Sequence, residues 1–386
     1  MRKQMKSSLN FIQLVKDEFH AFFHCKAAML IVFAGVIFYS LLYNVLYMPN
    51  VVRDTPVVIV DHSQTFLSRS LIRAVKASSH CKVVSQESNI EHAKRLFIRQ
   101  EAEAILQIPK SFEKELLSNR QTSVEVYAST RSFLYYSAIV KTISGAISEI
   151  QDFTNLKSYN NPKLNTPIKL ISHNLYNKDE GYGNYLIPEV LVLILFQTLL
   201  IGIGMVSVNR NKAFADSTRS YSNWAIIQII AARSICFMTV YILLSCIALG
   251  IIPSLFKLPA IGNQVQIFAF IIPFLFSTSM LGIALGSYFK DEESTMLAFV
   301  FASLPWLLLA GTSYPLELIP YPWKAMHYAM PATITTLNFV KMNAMGASLY
   351  QVREAYCILW IQSIVYFILA FFIIKAYIKK NMPQKR

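Results

Sequence analysis

The most prominent pattern in the chain is a set of long apolar runs separated by polar segments. A helix needs about 20 predominantly apolar residues to cross a bilayer. We predict six spans, at approximately residues 27–47, 185–208, 231–249, 267–289, 295–310 and 358–376. The first span then lies within residues 26–48 and the other five within residues 185–376. The pattern predicts a polytopic α-helical membrane protein, and an even number of spans places both termini on one side of the membrane.

The polar segment between the first two spans, residues 49–184, has a pattern of its own. Short stretches rich in β-branched residues alternate with amphipathic stretches, which is typical of an α/β domain. We predict strands at 56–60, 82–85, 104–108 and 123–127, and helices at 68–77, 90–100, 111–117 and 133–153. Residues 155–184 are predicted to be irregular, with one short strand near 168–171. The segment is long enough to bury a core of its own.

Residues 1–25 precede the first span and have the pattern of an amphipathic helix. The apolar face contains Phe11, Val15, Phe19 and Phe22, and the polar face contains Gln13, Lys16, Asp17, His20 and His24. The two histidines have the spacing of the H-E-x-x-H zinc-protease motif, but Ala21 occupies the position of its catalytic glutamate. We therefore predict a helix lying on the inner leaflet, not a metal site.

Composition supports the membrane class, and the distribution of charge orients the chain. Hydrophobic residues make up 54% of the chain and charged residues 15%, against about 25% charged in a typical soluble domain. The formal net charge is +14, and basic residues are concentrated in the N-terminal segment, the loop after the second span and the tail 377–386. Since Lys and Arg are enriched in cytoplasmic loops, both termini are predicted to be cytoplasmic and residues 49–184 extracytoplasmic. This distribution accounts for the basic excess, so no nucleic-acid partner is predicted.

Motifs that would carry catalytic, cofactor or metal chemistry are not apparent. The chain has five cysteines, with no CxxC pair, and all except Cys81 lie in or beside apolar runs. This argues against a disulfide framework or a structural zinc site. Asp61, His62 and Ser63 are adjacent and cannot form the relay of a catalytic triad, so we predict a turn at a strand end. No P-loop sequence occurs, so the chain cannot bind ATP by that motif.

Three features of the predicted spans could have a role beyond crossing the bilayer. Glu189 and Arg233 are the charged residues nearest the membrane interior, where a charge is a functional candidate by default. Both lie within about two turns of a predicted span end, so we predict that they snorkel to the interface. Gly282 and Gly286 have the G-x-x-x-G spacing that lets another helix approach closely, and the alternative is that both glycines face lipid.

The predicted order of elements resembles the membrane subunit of type-2 ABC exporters, in the subgroup with a large outside domain between the first two spans. The resemblance covers almost the whole chain. It is carried by RDTPVVIVDHS at 53–63, LSRSLIRAV at 67–75, LVLILFQTLLIGIGM at 191–205, AGTSYPLELIPYPWKAMHYAMPAT at 310–333 and FVKMNAMGASL at 339–349. It implies six transmembrane helices in a type V ABC exporter-like fold, with an inserted extracytoplasmic α/β domain.

The resemblance also implies a set of partners. A separate ABC ATPase would bind ATP and Mg²⁺, so this chain would hold no cofactor directly. A second membrane subunit would complete the transporter, as a homodimer or a homologous heterodimer. In the inner membrane of a double-membrane bacterium, the outside domain can meet a periplasmic adaptor protein and an outer-membrane channel.

The loop at residues 209–224 aligns with the family's coupling helix, which docks on the ATPase. The acidic residues and the Gly-Thr step usual in that stretch are absent here, whereas its basic character is retained. The candidate coupling residues are Arg210, Lys212, Phe214, Asp216, Arg219 and Trp224. The N-terminal helix is implied to transmit ATPase closure together with this loop.

The resemblance implies that substrate passes between two membrane subunits along spans one, two and five. The candidate lining residues are Tyr39, Tyr43, Gln197, Phe299 and Trp306. Residues 311–340 are too short and too polar to span twice, and their prolines interrupt any long helix. They are implied to form short re-entrant helices that are buried in protein and act as an outer gate. The candidate gate residues are Thr312, Ser313, Tyr314 and Pro315, and the aromatic residues expected at the interface are Tyr321, Trp323, Tyr328 and Phe339.

The function expected from these features is export of an amphipathic or drug-like substrate by a subunit that is not itself an enzyme. A non-transporting membrane receptor or scaffold, with the α/β domain as its ligand-binding part, is the alternative. An intramembrane enzyme is disfavoured because no acid/base pair or metal cluster is predicted at midplane depth. The sequence leaves open the substrate and whether the partner half is identical.

Overall fold

The computed structural model describes residues 10–47, 52–118, 120, 122–129, 133–157, 183–216, 221–289, 291–311 and 316–381. The chain divides into two compact units. One comprises Met1–Met48 together with Tyr176–Arg386, and the other comprises Pro49–Leu175. The second unit therefore lies within the polar segment that comes after the first apolar run of the sequence.

The first unit is helical throughout its described part. Its helices are α1 (Phe11–His24), α2 (Lys26–Leu46), α7 (Gly183–Asp216), α8 (Asn223–Leu255), α9 (Gln264–Gly286), α10 (Glu292–Leu308), α11 (Tyr321–Ala329), α12 (Pro331–Met345) and α13 (Arg353–Asn381). Helices α2 and α8 each contain a π-helical segment, Leu30–Gly35 and Cys246–Ile251 respectively. A 3₁₀ turn, Leu316–Leu318, precedes α11.

Five helices in the described part of the chain are long and apolar enough to cross a membrane. They are Lys26–Leu46, Leu186–Phe214, Asn223–Leu255, Gln264–Gly286 and Arg353–Lys380. These correspond to five of the six predicted spans and agree with a polytopic membrane protein. The remaining one, α10, has 17 residues, which at 1.5 Å per residue is about 25 Å against about 30 Å of hydrocarbon. Six spans therefore remain a prediction.

Glycines bring the central helices of this unit close together. A methyl group added at Gly286 of α9 would lie 2.6 Å from the Cα atom of Gly204 in α7, and one at Gly282 would lie 3.1 Å from Ile203. A methyl group at Gly204 would also lie 2.5 Å from Thr295 of α10. The interpretation of Gly282 and Gly286 as a helix-packing motif is confirmed, and both residues are buried in protein.

The second unit is built on a four-stranded sheet in the order β2-β1-β3-β4. Its strands are β1 (Thr55–Asp61), β2 (Cys81–Glu87), β3 (Ala104–Ile108) and β4 (Glu125–Ala128), and its helices are α3 (Phe66–Ala77), α4 (Ile90–Ile98), α5 (Phe112–Leu117) and α6 (Phe133–Lys157). Strand β1 pairs in parallel with β2 and β3, and β4 is antiparallel to β3. The strand expected near 168–171 lies outside the described residues.

Alternation along β1 gives the sheet two buried faces. Val57 and Ile59 pack in a core with residues of α3, α5 and α6, whereas Val58 and Val60 pack with Ala93 of α4. At the end of β1, the carboxylate of Asp61 accepts hydrogen bonds from the backbone N–H groups of Ser63 and Gln64, at 2.9 and 3.0 Å. The predicted strand-end turn is confirmed for Asp61, although the Ser63 hydroxyl bonds to the side chain of Thr65 and not to backbone.

Candidate functional site at the Glu18 cluster

The N-terminal helix carries one fully buried carboxylate. Asn10 caps α1 by accepting a hydrogen bond from the N–H of Ile12, and Leu14, Glu18 and Phe22 follow at four-residue spacing on the buried face. Glu18 has 0% of its surface exposed. Burying a carboxylate is very unfavourable unless it is paired and hydrogen-bonded, so its partners define the site.

The first partner is Arg233 of α8, which is also 0% exposed. Its Nε donates to Oε2 of Glu18 at 3.1 Å. Its Nη1 donates to Oγ of Ser207 at 3.0 Å and to Oδ1 of Asn211 at 3.3 Å, both on α7. The planar guanidinium group can make such divergent bonds because its donors are fixed in a fork.

The second partner is Arg210 of α7. Its Nε donates to Oε1 of Glu18 at 3.0 Å, and its guanidinium carbon lies 4.8 Å from the centre of the Phe214 ring. Unlike Arg233, Arg210 is partly exposed. One carboxylate therefore lies between two guanidinium groups, and the three side chains together carry one net positive charge.

The polar cluster extends from α7 to α9. The side-chain amide of Asn211 donates to Oγ of Ser287, which follows the last residue of α9, at 2.8 Å. The Ser287 hydroxyl in turn donates to the carbonyl of Ile283, one turn earlier in α9, at 2.7 Å. The hydrogen bonds of Glu18, Arg233 and Asn211 thus join α1, α7, α8 and α9, and we call this set of residues with Arg210, Ser207 and Ser287 the Glu18 cluster.

A second carboxylate, Glu292, connects α10 to the same end of the helices. It accepts a hydrogen bond from the side-chain amide of Asn209 and one from Sγ of Cys25 at 3.7 Å. Burial, together with the nearby Glu292 carboxylate, raises the pKa of the Cys25 thiol, which keeps the thiol protonated as a donor. Cys25 joins α1 to α2, so the contact ties the start of the first span to α10.

The expectation that Arg233 and Glu189 snorkel to an interface is wrong. Helix α8 begins at Asn223, where Ser222 is the N-cap, so Arg233 lies about 15 Å along the helix and not at its start. Arg233 is enclosed by the Glu18 cluster, and Glu189 is buried with 1% exposed. The predicted start at residue 231 was too late, because the mostly apolar stretch from Asn223 to Ala232 already belongs to the helix.

The candidate coupling residues have different surroundings. Helix α7 continues to Asp216 and α8 begins at Asn223, so most of the predicted loop 209–224 is helical. Arg210 belongs to the Glu18 cluster, and Phe214 is buried with its ring 5.7 Å from that of Tyr221. Lys212 is exposed and Trp224 is 66% exposed. The Asp216 side chain and Arg219 lie outside the described residues.

Helix α7 runs without interruption from its apolar part to the residues that it contributes to the Glu18 cluster. Hydrogen bonds from Ser294 lower the pKa of the Asp291 carboxyl group, and the nearby charge of exposed Lys212 lowers it further. These bonds, at 2.7 Å from the N–H and 3.0 Å from the hydroxyl, cap the start of α10. Of these two charges, Lys212 lies on α7, which contributes to the cluster, and Asp291 caps α10, which contacts α7 through Glu292 and Asn209.

The candidate path residues do not share one environment. Tyr39 is exposed on α2, and Tyr43 stacks on Tyr47 with ring centres 6.3 Å apart. Phe299 is buried against Phe289, with ring centres 5.9 Å apart. Gln197 and Trp306 are both partly buried. Their role in substrate passage remains a prediction.

The candidate gate residues Thr312, Ser313, Tyr314 and Pro315 lie outside the described residues, but the helices that follow them are defined. At the break between α11 and α12, Gln362 of α13 donates to the carbonyl of Tyr328 at 2.8 Å, and Tyr366 donates to that of Ala329. Nδ1 of buried His327 bonds to the carbonyl of Leu309 at 2.7 Å. The backbone carbonyl groups at the break thus accept hydrogen bonds from side chains inside the protein, as non-helical backbone in a membrane requires.

The expected interfacial aromatic residues divide into two groups. Tyr321, Trp323 and Tyr328 are exposed, in agreement with an interfacial position. Phe339 is 2% exposed and packs in the core of the helical unit, so its assignment to the interface is wrong. It lies on the inner face of α12, beside residues of α7.

Glu18, Ser207, Asn211 and His327 are functional candidates that the sequence pattern did not indicate. A signal was available for Glu18, because it lies four residues from both Leu14 and Phe22 and therefore on their face of the helix. A lone acid on an otherwise apolar face predicts a buried cationic partner. Ser207 and Asn211 carry no comparable signal, since small polar residues occur in many spans.

A comparison with known protein families finds a match for most of the chain. A family model described as an ABC-2 family transporter protein matches residues 26–372. The match includes four of the described spans, the fifth as far as residue 372, and all of the Glu18 cluster except Glu18 itself. A search of curated proteins finds no match for the chain.

Proposed function

We propose, because the chain belongs to the ABC-2 family of transporter proteins, that it is the permease of an exporter for amphipathic or drug-like compounds. Membership implies the coarser role of a membrane subunit that works with an ABC ATPase and another membrane subunit. The finer proposal is that substrate leaves the cytoplasm or inner leaflet, and that ATP and Mg²⁺ bind to the partner ATPase alone.

The observation that supports coupling is the placement of Glu18 between Arg210 and Arg233. These bonds connect the helix before the first span to the last turns of the second span and to the interior of the third. In the proposed mechanism the ATPase contacts the exposed side chains of Lys212 and Trp224, together with Arg219 of the same loop. ATP binding favours one packing of the two halves, and hydrolysis favours the other.

The topology belongs to the same proposal. Both termini and the Glu18 cluster are cytoplasmic, α10 crosses as the fifth of six spans, and the α/β unit is extracytoplasmic. The host membrane is a bacterial inner membrane, where the α/β unit can meet a periplasmic adaptor and an outer-membrane channel. The charge distribution and the order of the elements support this arrangement.

The test is to replace Glu18 with glutamine in the complete transporter, purified with its ATPase and reconstituted in liposomes. Glutamine keeps the size of the side chain and removes the charge that both arginines bind. We expect the ATPase to remain bound, while transport per ATP hydrolysed falls by at least about tenfold, since hydrogen bonds between charged groups contribute about 1.5–3 kcal/mol.

The matched control is Asp17→Asn, which neutralises the adjacent residue. Asp17 bonds to Gln13 on the polar side of α1, at 3.1 Å, outside the Glu18 cluster. Transport should be unchanged in this variant. Equal loss in both variants, or no loss in Glu18→Gln, would reject the coupling role, and failure of any ATPase to co-purify would favour the receptor or scaffold alternative.

A further inference from the structure

A cavity of about 880 Å³ lies within the helical unit, at the end of α7 opposite to the Glu18 cluster. Ile187 lines the cavity and Arg210 belongs to the cluster, and 23 residues of helix separate them, about 35 Å. The cavity walls are the first turns of α7 and α9, the last turns of α8 and the second half of α12. None of the five candidate path residues lines it.

The backbone of α8 explains why side chains do not fill this space. The segment Cys246–Ile251 is π-helical, a rare conformation that occurs frequently at functional sites. Gly250 lies within it, and a methyl group added there would meet no heavy atom within 4 Å. Pro253, which cannot donate to the preceding turn, follows at the cavity wall.

The wall is held in place by hydrogen bonds. The hydroxyl of Ser254 donates to the carbonyl of Gly250 at 2.6 Å. The connection from α8 to α9 is tied to α12, because the N–H groups of Ile261 and Gly262 donate to the carbonyl of Asn343 at 2.9 and 3.3 Å. The bonds to Asn343 thus fix the connection after α8 relative to α12, on the two sides of the cavity.

The lining indicates the chemistry of an occupant. Most lining residues are apolar, and no Asp, Glu, Lys, Arg or His occurs among those that the structure describes around the cavity. The amide side chains of Asn184, Gln264 and Asn343 also line it. A volume of this size with apolar walls and a few polar groups is typical of sites for small molecules.

The rim is apolar on one side and polar on the other. Leu255 and Ile251 at the end of α8 are 71% and 56% exposed, and in a bilayer they would face lipid tails. Gln264, at the start of α9, is also exposed. Apolar chains can therefore enter past α8, while a head group can bond to amides at the helix end.

We propose that this cavity is a binding site for one uncharged amphiphile of the bilayer, with an apolar chain and a hydrogen-bonding head group such as that of a monoacylglycerol. The chain contacts Leu191, Leu249 and Phe268, and the head group bonds to Gln264 and Asn343. The site lies inside one subunit, so it is separate from a path between two subunits. Its occupancy can be measured without the ATPase and does not depend on the proposed function.

The probe is a monoacylglycerol with a photoactivatable diazirine in its chain, added to the full-length protein in phosphatidylcholine nanodiscs. Adducts are mapped by peptide mass spectrometry, with and without excess monooleoylglycerol. We expect saturable labelling on the peptides that contain residues 246–255 and 184–191. A fatty acid with the same diazirine chain should label these peptides less, because its carboxylate has no cationic partner among the described lining residues.

The discriminating variant is Gly250→Leu, which adds a side chain at the cavity wall where no existing atom lies within 4 Å. Losing room for even one methylene changes occupancy by about 10–200-fold in an apolar pocket, so saturable labelling should fall at least about tenfold. Gly145→Leu, at a glycine of the α/β unit where an added methyl group would also meet no heavy atom within 4 Å, is the matched control and should label normally.

Each other result counts against the site. Labelling that does not saturate, or that is unchanged in Gly250→Leu, would show that the cavity does not hold the amphiphile. Preferential labelling by the fatty acid would overturn the assignment of an uncharged head group. Thermal unfolding of each variant in nanodiscs verifies that lost labelling does not come from lost folding.

Discussion

At the scale of single residues, the Glu18 cluster shows how burial restricts a charged side chain to particular partners. Glu18 and Arg233 are both fully buried, so neither can exchange its partner for water. The Coulomb attraction of such a pair does little more than offset the cost of desolvation, but removing one partner leaves an uncompensated charge. The pairing of Glu18 with Arg233 therefore adds little to the free energy of unfolding, but it strongly disfavours arrangements in which either side chain lacks its partner.

Substitution of Arg233 should reveal this asymmetry. Arg233→Met leaves Glu18 with Arg210 as its remaining guanidinium partner, and we expect a loss of about 1.5–3 kcal/mol in stability. Arg233→Lys should also lower Tm, because one ammonium group cannot replace the forked bonds to Glu18, Ser207 and Asn211. Thermal unfolding of purified protein measures both, with exposed Lys212→Met as a control that should change little.

The double variant Glu18→Gln, Arg233→Met separates pairing from packing. If the two charges are coupled, the double variant should be more stable than the sum of the single losses predicts. Strict additivity would mean that each side chain contributes through packing alone. The bond lengths of 3.0 and 3.1 Å at Glu18 favour coupling.

At the scale of elements, close helix crossings depend on glycines whose spacing is visible in the sequence. Gly286 and Gly204 lie where α9 crosses α7, and both the Cα and the carbonyl oxygen of Gly204 lie within 3.0 Å of a methyl group placed at Gly286. The obstructing atoms belong to the backbone, so no side-chain rotation can make room. The two helices would have to separate.

Gly286→Ala should therefore destabilise the helical unit. Overpacking of a well-packed core costs about 1–3 kcal/mol, and we expect a lower Tm in detergent or nanodiscs. Gly250→Ala introduces the same methyl group where no atom lies within 4 Å and should unfold like the parent protein. A Tm for Gly286→Ala equal to that of Gly250→Ala would contradict the crossing geometry.

The elements also show where pattern analysis succeeds. Strand β1 was predictable because PVVIV is an uninterrupted apolar run beside turn residues, and the G-x-x-x-G pair identified a close crossing. Helix starts were less predictable: Ser222 caps α8 well before its apolar run becomes continuous. That difference displaced Arg233 from the predicted start of a span into its interior, and so concealed the cluster.

The cluster itself could not be derived from local pattern. Glu18 and Arg233 are 215 residues apart in sequence, and their pairing depends on how α1, α7 and α8 pack. A buried acid on an amphipathic helix predicts that a cation lies opposite, but it does not identify which one. Tertiary packing determines that Arg210 and Arg233, and not other basic residues of the chain, are the partners of Glu18.

At the scale of the whole molecule, α10 decides the topology. Five other helices in the described part of the chain are long and apolar enough to cross, so an even number of spans requires α10 to cross as well. Its 17 residues are short for a typical span, but a short helix can be accommodated by local thinning of the bilayer.

Single-cysteine variants in a background with all five native cysteines replaced by serine test this parity in intact cells. Lys16→Cys lies on α1, Lys379→Cys near the end of α13 and Arg99→Cys in the α/β unit, and all three positions are exposed. A membrane-impermeant maleimide should label Arg99→Cys directly, and the other two only after permeabilisation. If α10 does not cross, five spans place the termini on opposite sides, and either Lys16→Cys or Lys379→Cys, but not both, will be labelled in intact cells.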